Sequence, residues 1–166
     1  MTDNITLTGM PGAGKSTVGV ILAKVLSYGF VDTDILIQTD QGKSLQEIVD
    51  KTGHINLRRI EEKVILRLNP EKHVIATGGS AVYSEKAMEH LCRISRVVFL
   101  RADFNTIVKR ISNFDQRGIA KAKKQSFSEL YLERQPLYEK YARITIDCDS
   151  ISQEDVVRKI AEKLQD

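Results

Sequence analysis

The chain has 166 residues, 42% hydrophobic and 28% charged with both signs interspersed, and a net charge of +3. That is enough for one domain with a real core and hardly enough for two, so a single domain over 1–166 is expected. The near-even charge balance gives no nucleic-acid footprint, no apolar run approaches ~18 residues, and the opening MTDNITLTG lacks a leader pattern, so a cytoplasmic protein without a membrane span is expected.

From the N-terminus, NITLTG predicts a strand entering a glycine loop, and GKSTVGVILAKVLS the helix that leaves it. YGFVD predicts a second strand. SLQEIVDKTG opens on a capping box, Ser44 answered by Glu47. NLRRIEEKVILRLN is helical, with Leu57, Ile60, Val64 and Leu68 along one face. HVIAT is a third strand with the short helix SEKAMEHLC behind it. SRVVFLR is a fourth, followed by DFNTIVKRIS, a helix capped by Asp103. SNFDQRGIAKAKKQS is polar and aperiodic, a loop long enough to act as a lid over about residues 112–125. Its Lys121-Ala122-Lys123-Lys124 run is short and free of aromatics, and reads as a solvated face. SFSELYLERQPLYEKY is a helix with Ser126 and Glu129 as its capping box, RITIDC a fifth strand, and SQEDVVRKIAEKLQ a closing helix begun by Ser152. Such alternation predicts an α/β fold, a mostly parallel sheet covered on both faces, with ligands at the carboxyl ends of its strands. Cys92 and Cys148 are far apart and outside any C-x-x-C pair, so buried reduced thiols are expected. His54, His73 and His90 lack ligand spacing and read as structural or surface residues.

After strand one, GMPGAGKST fits G-x-x-x-x-G-K-[ST] with Gly9, Gly14, Lys15 and Ser16, between a strand and a helix as the motif requires. Gly12, Ala13, Gly14, Lys15, Ser16 and Thr17 would cradle phosphates with backbone N–H groups at a helix N-terminus. Lys15 reaches the β- and γ-phosphates and Ser16 can ligate Mg²⁺, so ATP with Mg²⁺ is expected. After strand two, FVDTDILI places Asp32 and Asp34 at a strand end, two apart on one side of an extended segment and roughly 6.5–7 Å apart. The third strand ends in Thr77 and Gly78 with no carboxylate, so Asp32 is the candidate metal-side acid, through a Mg²⁺-bound water; the alternative is that D-x-D simply caps the next helix. Asp34 would accept a proton from a substrate hydroxyl, or orient it.

GMPGAGKST followed by DTD resembles shikimate kinase, and the likeness runs on in matching order along nearly the whole chain. The resemblance implies the P-loop kinase fold: a five-stranded parallel sheet in the order 2-3-1-4-5, a lid, and a substrate-binding helical region at about 33–61. It maps the Phe-Arg-x-x-Glu pattern onto Leu57, Arg58 and Glu61, and Arg-x-Pro-Leu-Tyr onto Arg134, Pro136, Leu137 and Tyr138. Arg58 and Arg134 would then clamp a substrate carboxylate, a task suited to a planar fork of donors. Arg117 matches the lid arginine that closes over the ATP phosphates, and Arg110 a residue near adenine. Gly78, Gly79 and Ser80 stand where the family has three glycines against the cyclic substrate. The implied activity is ATP-dependent phosphorylation of a hydroxyl of a small carboxylate, shikimate first. Small size and no evident self-pairing heptad make a monomer the default, and the short basic run gives no case for a nucleic-acid partner. Leu57 for Phe, His54 for Glu, Ser80 for Gly, and Gly118-Ile119 for Pro-Leu are departures. They keep open a related kinase for homoserine, gluconate or another small hydroxy acid. A nucleoside or nucleotide kinase and a non-catalytic ATP-binding module are further alternatives.

Overall fold

The computed structural model describes residues 3–111 and 118–165. Strands β1 (Asn4–Thr8), β2 (Gly29–Asp32), β3 (His73–Ala76), β4 (Ser95–Arg101) and β5 (Ile144–Asp147) form one parallel sheet in the order β2-β3-β1-β4-β5. This is the order implied by the resemblance. The helices are α1 (Lys15–Leu26), α2 (Thr33–Gln41), α3 (Leu45–Leu66), α4 (Glu85–Ile94), α5 (Phe104–Arg110), α6 (Phe127–Tyr141) and α7 (Gln153–Lys163), with one 3₁₀ turn at Ala81–Tyr83.

Every residue of central β1 is buried, so both faces of the sheet are covered. Two of its three polar side chains have partners; among the described residues the buried Thr8 hydroxyl has none. Asn4 donates to the carbonyls of Pro70 and Ile94 and accepts from His73 N, which ties three chain crossings at the amino end of the sheet. Thr6 and Ser95 share a hydroxyl–hydroxyl bond of 2.6 Å between β1 and β4.

Helix starts follow their caps. Ser44 and Ser126 both form reciprocal capping boxes, with Glu47 and Glu129, and Asp103 and Ser152 accept from the N–H groups of Thr106 and Asp155. Two expectations change. The D-x-D segment is not extended: α2 begins at Thr33, so Asp34 lies in its first turn while Asp32 is its N-cap. The two-residue alternation of a strand therefore does not apply to this pair. Cys148 is buried as expected, but Cys92 is exposed; both are free thiols.

The two segments predicted as helical on either side of Gly53 are both helical and meet within α3 at a kink there, where φ of 81° and ψ of 164° are not helical. A second apolar cluster collects inside this bend. Ile37 of α2, Ile48, Leu57 and Val64 of α3, and Ala120 are its buried members, with Ile60 half-buried beside them. Leu68 lies past the end of α3 and packs on the main core instead. Among the described residues, no helix is long and apolar enough to cross a membrane.

Candidate active site

A cavity of about 530 Å³ opens at the carboxyl ends of the strands. One end is the loop between β1 and α1. Gly12 and Gly14 take φ of 84° and 95°, and a Cβ at Gly12 would lie 2.7 Å from Ile111, so torsion and space both demand glycine. Gly14 is the N-cap of α1, which leaves the first N–H groups of the helix without intrahelical acceptors, facing the cavity. Ala13, Lys15, Ser16 and Thr17 complete this end. The Lys15 ammonium donates to the carbonyls of Gly9 (2.7 Å) and Met10 (2.8 Å). Burial pulls its pKa down to about 8, against the pull of nearby Asp34.

Asp32 serves two neighbours. One carboxylate oxygen accepts from Asp34 N at 2.9 Å and caps α2; the other accepts from Ser16 Oγ at 2.5 Å. Capping and contact with the phosphate-loop serine are thus compatible at one residue. The resulting hydroxyl–carboxylate pair offers hard oxygen donors of the kind Mg²⁺ takes. Among the described residues, no group of three or more His, Cys, Asp or Glu could hold a metal ion.

Asp34 lines the cavity wall beyond the loop. Burial of its carboxyl group, reinforced by the negative charge of Asp32, raises its pKa to about 6, while Lys15 opposes the rise. A Cβ on Gly78 would sit 2.8 Å from Asp34 Oδ1 and 2.3 Å from Glu61 Oε1. Glycine there lets two carboxyl groups approach the main chain. A Cβ on Gly79 would lie 2.8 Å from Arg134 Nη1. These glycines thus make room first for the protein's own side chains, at the cavity wall.

Ser80 answers differently. Its φ of −90° and ψ of −5° suit any residue, so the backbone does not require glycine here. Its hydroxyl donates to Glu61 Oε2. Glu61 is only 2% exposed, and among the described residues its other oxygen has no hydrogen-bond partner. Burial, then the charge of Asp34, push its pKa up to about 7, and the Ser80 hydrogen bond works against that rise.

Arg134 and Tyr138 are four apart on α6 and share its buried face. Arg134 is 1% exposed and reaches the cavity, where its Nη2 donates to the Ala120 carbonyl at 2.8 Å. Tyr138 donates to the Gly79 carbonyl at 2.7 Å. Pro136 is on the outer face. Its missing N–H leaves the carbonyl of Leu132 without a helical donor, where Leu132, 67% exposed, keeps it in reach of water. Arg58 also aims at Ala120 O, at 3.4 Å, so the two arginines do converge, although on a backbone carbonyl. Arg58 does not line the main cavity. It stands behind Tyr83, in a smaller cleft beside Glu61 and Ser80.

Arg110, the last residue of α5, lines the cavity and donates to the Cys148 carbonyl at 3.1 Å, next to the loop that leads into α7. Arg117 lies outside the described residues, as do positions 112–116 of the expected lid. The described part of that loop packs over the cavity. Gly118 has φ of 60°, donates its N–H to Gln46 Oε1 at 2.9 Å, and would put a Cβ 2.5 Å from that of Leu45. Proline, with φ fixed near −65° and no N–H, fits none of these conditions, which accounts for one departure from the family pattern.

Sequence reasoning missed three contributors. Ile151 and Gln153, after β5, line the cavity. The rule that ligands sit at strand carboxyl ends points to that loop as well as to the others. Tyr83 carried no motif and no spacing signal.

The shikimate kinase family model matches residues 11–165. A shikimate kinase from Thermodesulfovibrio yellowstonii is 36% identical over 165 residues, covering 98% of this chain and 95% of that protein. Among solved structures, shikimate kinase from Acinetobacter baumannii in complex with shikimate aligns with a TM-score of 0.92 at 30% identity, covering 99% of this chain and 94% of its own. Shikimate kinase from Aquifex aeolicus aligns with a TM-score of 0.83 at 30% identity, over 98% of this chain and 96% of its own. On this agreement along nearly its whole length, the chain belongs to the shikimate kinase family.

Proposed function

We propose that this chain transfers the γ-phosphoryl group of ATP, with Mg²⁺, to a hydroxyl of shikimate, giving shikimate 3-phosphate and ADP. The observation that carries the reading is a single cavity with a phosphate loop at one end and Asp34 and buried Arg134 on the wall beyond it. Family membership supports ATP as co-substrate.

The loop suits a triphosphate: Gly12 and Gly14 hold a cradle open and the start of α1 supplies N–H donors. Ser16 and Asp32 would hold Mg²⁺, one carboxylate and one hydroxyl beside phosphate oxygens being a common Mg²⁺ donor set. The ion, when bound, supplies charge neutralisation on the phosphates. Lys15 exchanges the carbonyls of Gly9 and Met10 for phosphate oxygens. Asp34, ionised above about pH 6, orients the substrate hydroxyl and takes its proton. Arg58 and Arg134 exchange the Ala120 carbonyl for the substrate carboxylate. The Gly78–Gly79 backbone and Ser80 shape the wall, Arg110 faces the base end, and Arg117, which lies outside the described residues, is assigned to the phosphates by the family likeness alone. Phosphoryl transfer asks mainly for positioning and charge stabilisation, and this set supplies both. The proposal includes a monomer at work in the cytoplasm, the first of which sedimentation checks.

A second reading, a kinase for another small hydroxy acid, is favoured by Leu57, Ser80 and Gly118, all of which line the same cavity. A coupled ADP-release assay over shikimate, homoserine, gluconate and glycerate separates the two. Turnover with shikimate well above the others is expected. No turnover with shikimate beside clear turnover with another acid overturns the first reading.

A further inference from the structure

Tyr83 lies at the end of the 3₁₀ turn, three residues past Ser80, and touches both candidate clamp arginines. The Arg58 guanidinium carbon is 3.6 Å from the centroid of its ring, and that of Arg134 is 5.3 Å away. Its hydroxyl accepts from Arg134 Nε at 3.4 Å and donates to Glu133 Oε1. The second oxygen of Glu133 accepts from Gln125 Nε2 at 3.0 Å, so the contact chain continues into the segment that follows Ala120. Among the described residues, no ion pair engages Arg58 or Arg134, and Arg58 Nε is buried without a hydrogen-bond partner.

We infer that Tyr83 is a positioning residue for the acid clamp: its ring aligns both guanidinium groups while leaving their charge free for the substrate's carboxylate. An aromatic face attracts a cation through its quadrupole and carries no net charge. A Glu or Asp at the same place would hold the arginines equally well, but it would neutralise them and compete with the incoming anion. Of the carboxyl groups nearby, Glu133 is attached at one remove, through the hydroxyl of Tyr83, and Glu61 shares the cleft with Arg58 without an ion pair to either arginine among the described residues. Long arginine side chains held in place before the substrate arrives lose less freedom when it binds. The ring therefore acts on acid affinity.

This inference rests on the clamp reading above, and its test keeps the two apart. KM and kcat are measured on the full chain, with the acid that the unsubstituted chain turns over fastest. Tyr83→Leu is expected to raise KM for that acid about 3- to 30-fold, with a much smaller change in kcat and in KM for ATP. Tyr83→Phe, which keeps the ring, should recover most of the loss. In an Arg58→Ala background Tyr83→Leu should add clearly less, because the closer of the two groups it aligns is gone and only the contact with Arg134 remains. Equal losses in both backgrounds, a parallel rise in KM for ATP, or no rise for the acid would each overturn the inference. Should Tyr83→Leu not fold, Tyr83→Met enters the same cycle with the same expectations. Failure of the unsubstituted chain with shikimate would overturn the substrate reading alone, and Tyr83 would then be read on the acid that is turned over.

Discussion

At the phosphate end of the cavity the candidate groups are the consecutive residues Gly12 to Thr17, and much of their chemistry is main chain. At the acid end they come from α2, α3, the turn after β3, α6 and the segment at Gly118–Ala120, and nearly all of it is side chain. The first end depends on one loop keeping its torsions. The second depends on five separate pieces of chain meeting. Most departures from the family pattern fall on the second: Leu57, Ser80 and Gly118 border the acid end, His54 lies in a separate cleft with Arg58, and the phosphate loop keeps its motif whole. A main-chain cradle has few side chains to exchange. A pocket assembled from side chains can change one at a time.

Substitutions at each end should break this contrast if it is false. Asp34→Asn, at the junction, carries the largest expected effect: a loss of about 10²–10⁴-fold in kcat with ATP binding retained, measured by steady-state rates and nucleotide titration. Near-normal rates would remove Asp34 from the proton-accepting role. Arg134→Ala and Arg58→Ala should each raise KM for the acid by roughly 10- to 100-fold and leave KM for ATP nearly unchanged. Equal effects on both substrates would erase the division of the cavity into two ends.

Two smaller effects sharpen the comparison through pH. The rate kcat/KM for the acid should fall as pH drops through about 6, where Asp34 takes up its proton. A limb centred in the ordinary carboxylate range, near 4, would contradict the burial of that group. Glu61 is read through stability. Its folded pKa, about 7, lies above its ordinary value, so the protonated form favours the fold. That contribution is fully present below the ordinary carboxylate range and is lost as pH rises through about 7. Glu61→Gln should therefore gain melting temperature relative to the unsubstituted chain at pH 8 compared with pH 5. Parallel pH profiles of the two proteins would sink this account.

The fold was largely legible because its signals are local. Ser44 with Glu47 and Ser126 with Glu129 are bonds across three residues, and they start their helices where the sequence says they should. Strand order was not local, and it came from the family likeness. The phosphate loop was legible for the same reason as the caps. At the acid end, the Arg58–Ala120 and Arg134–Tyr83 bonds span 62 and 51 residues, and no periodicity or motif carries contacts of that range. Asp32 and Asp34 failed in a different way. A strand's alternation was extended two residues too far, into a helix that Asp32 itself caps.

The bend at Gly53 has a reach beyond its own turn. A Cβ there would meet nothing within 4 Å, so the requirement for glycine is torsional and not one of space. Before the bend, α3 carries Leu45 and Gln46, which border and hold Gly118; after it come Leu57, Arg58 and Glu61. One pair of backbone angles therefore sets how the start of α3, against Gly118, stands relative to Leu57 and Glu61, and all of these but Gln46 and Arg58 line the cavity. The spacing of these pieces is a heritable dimension, open to adjustment at a residue that never meets the substrate.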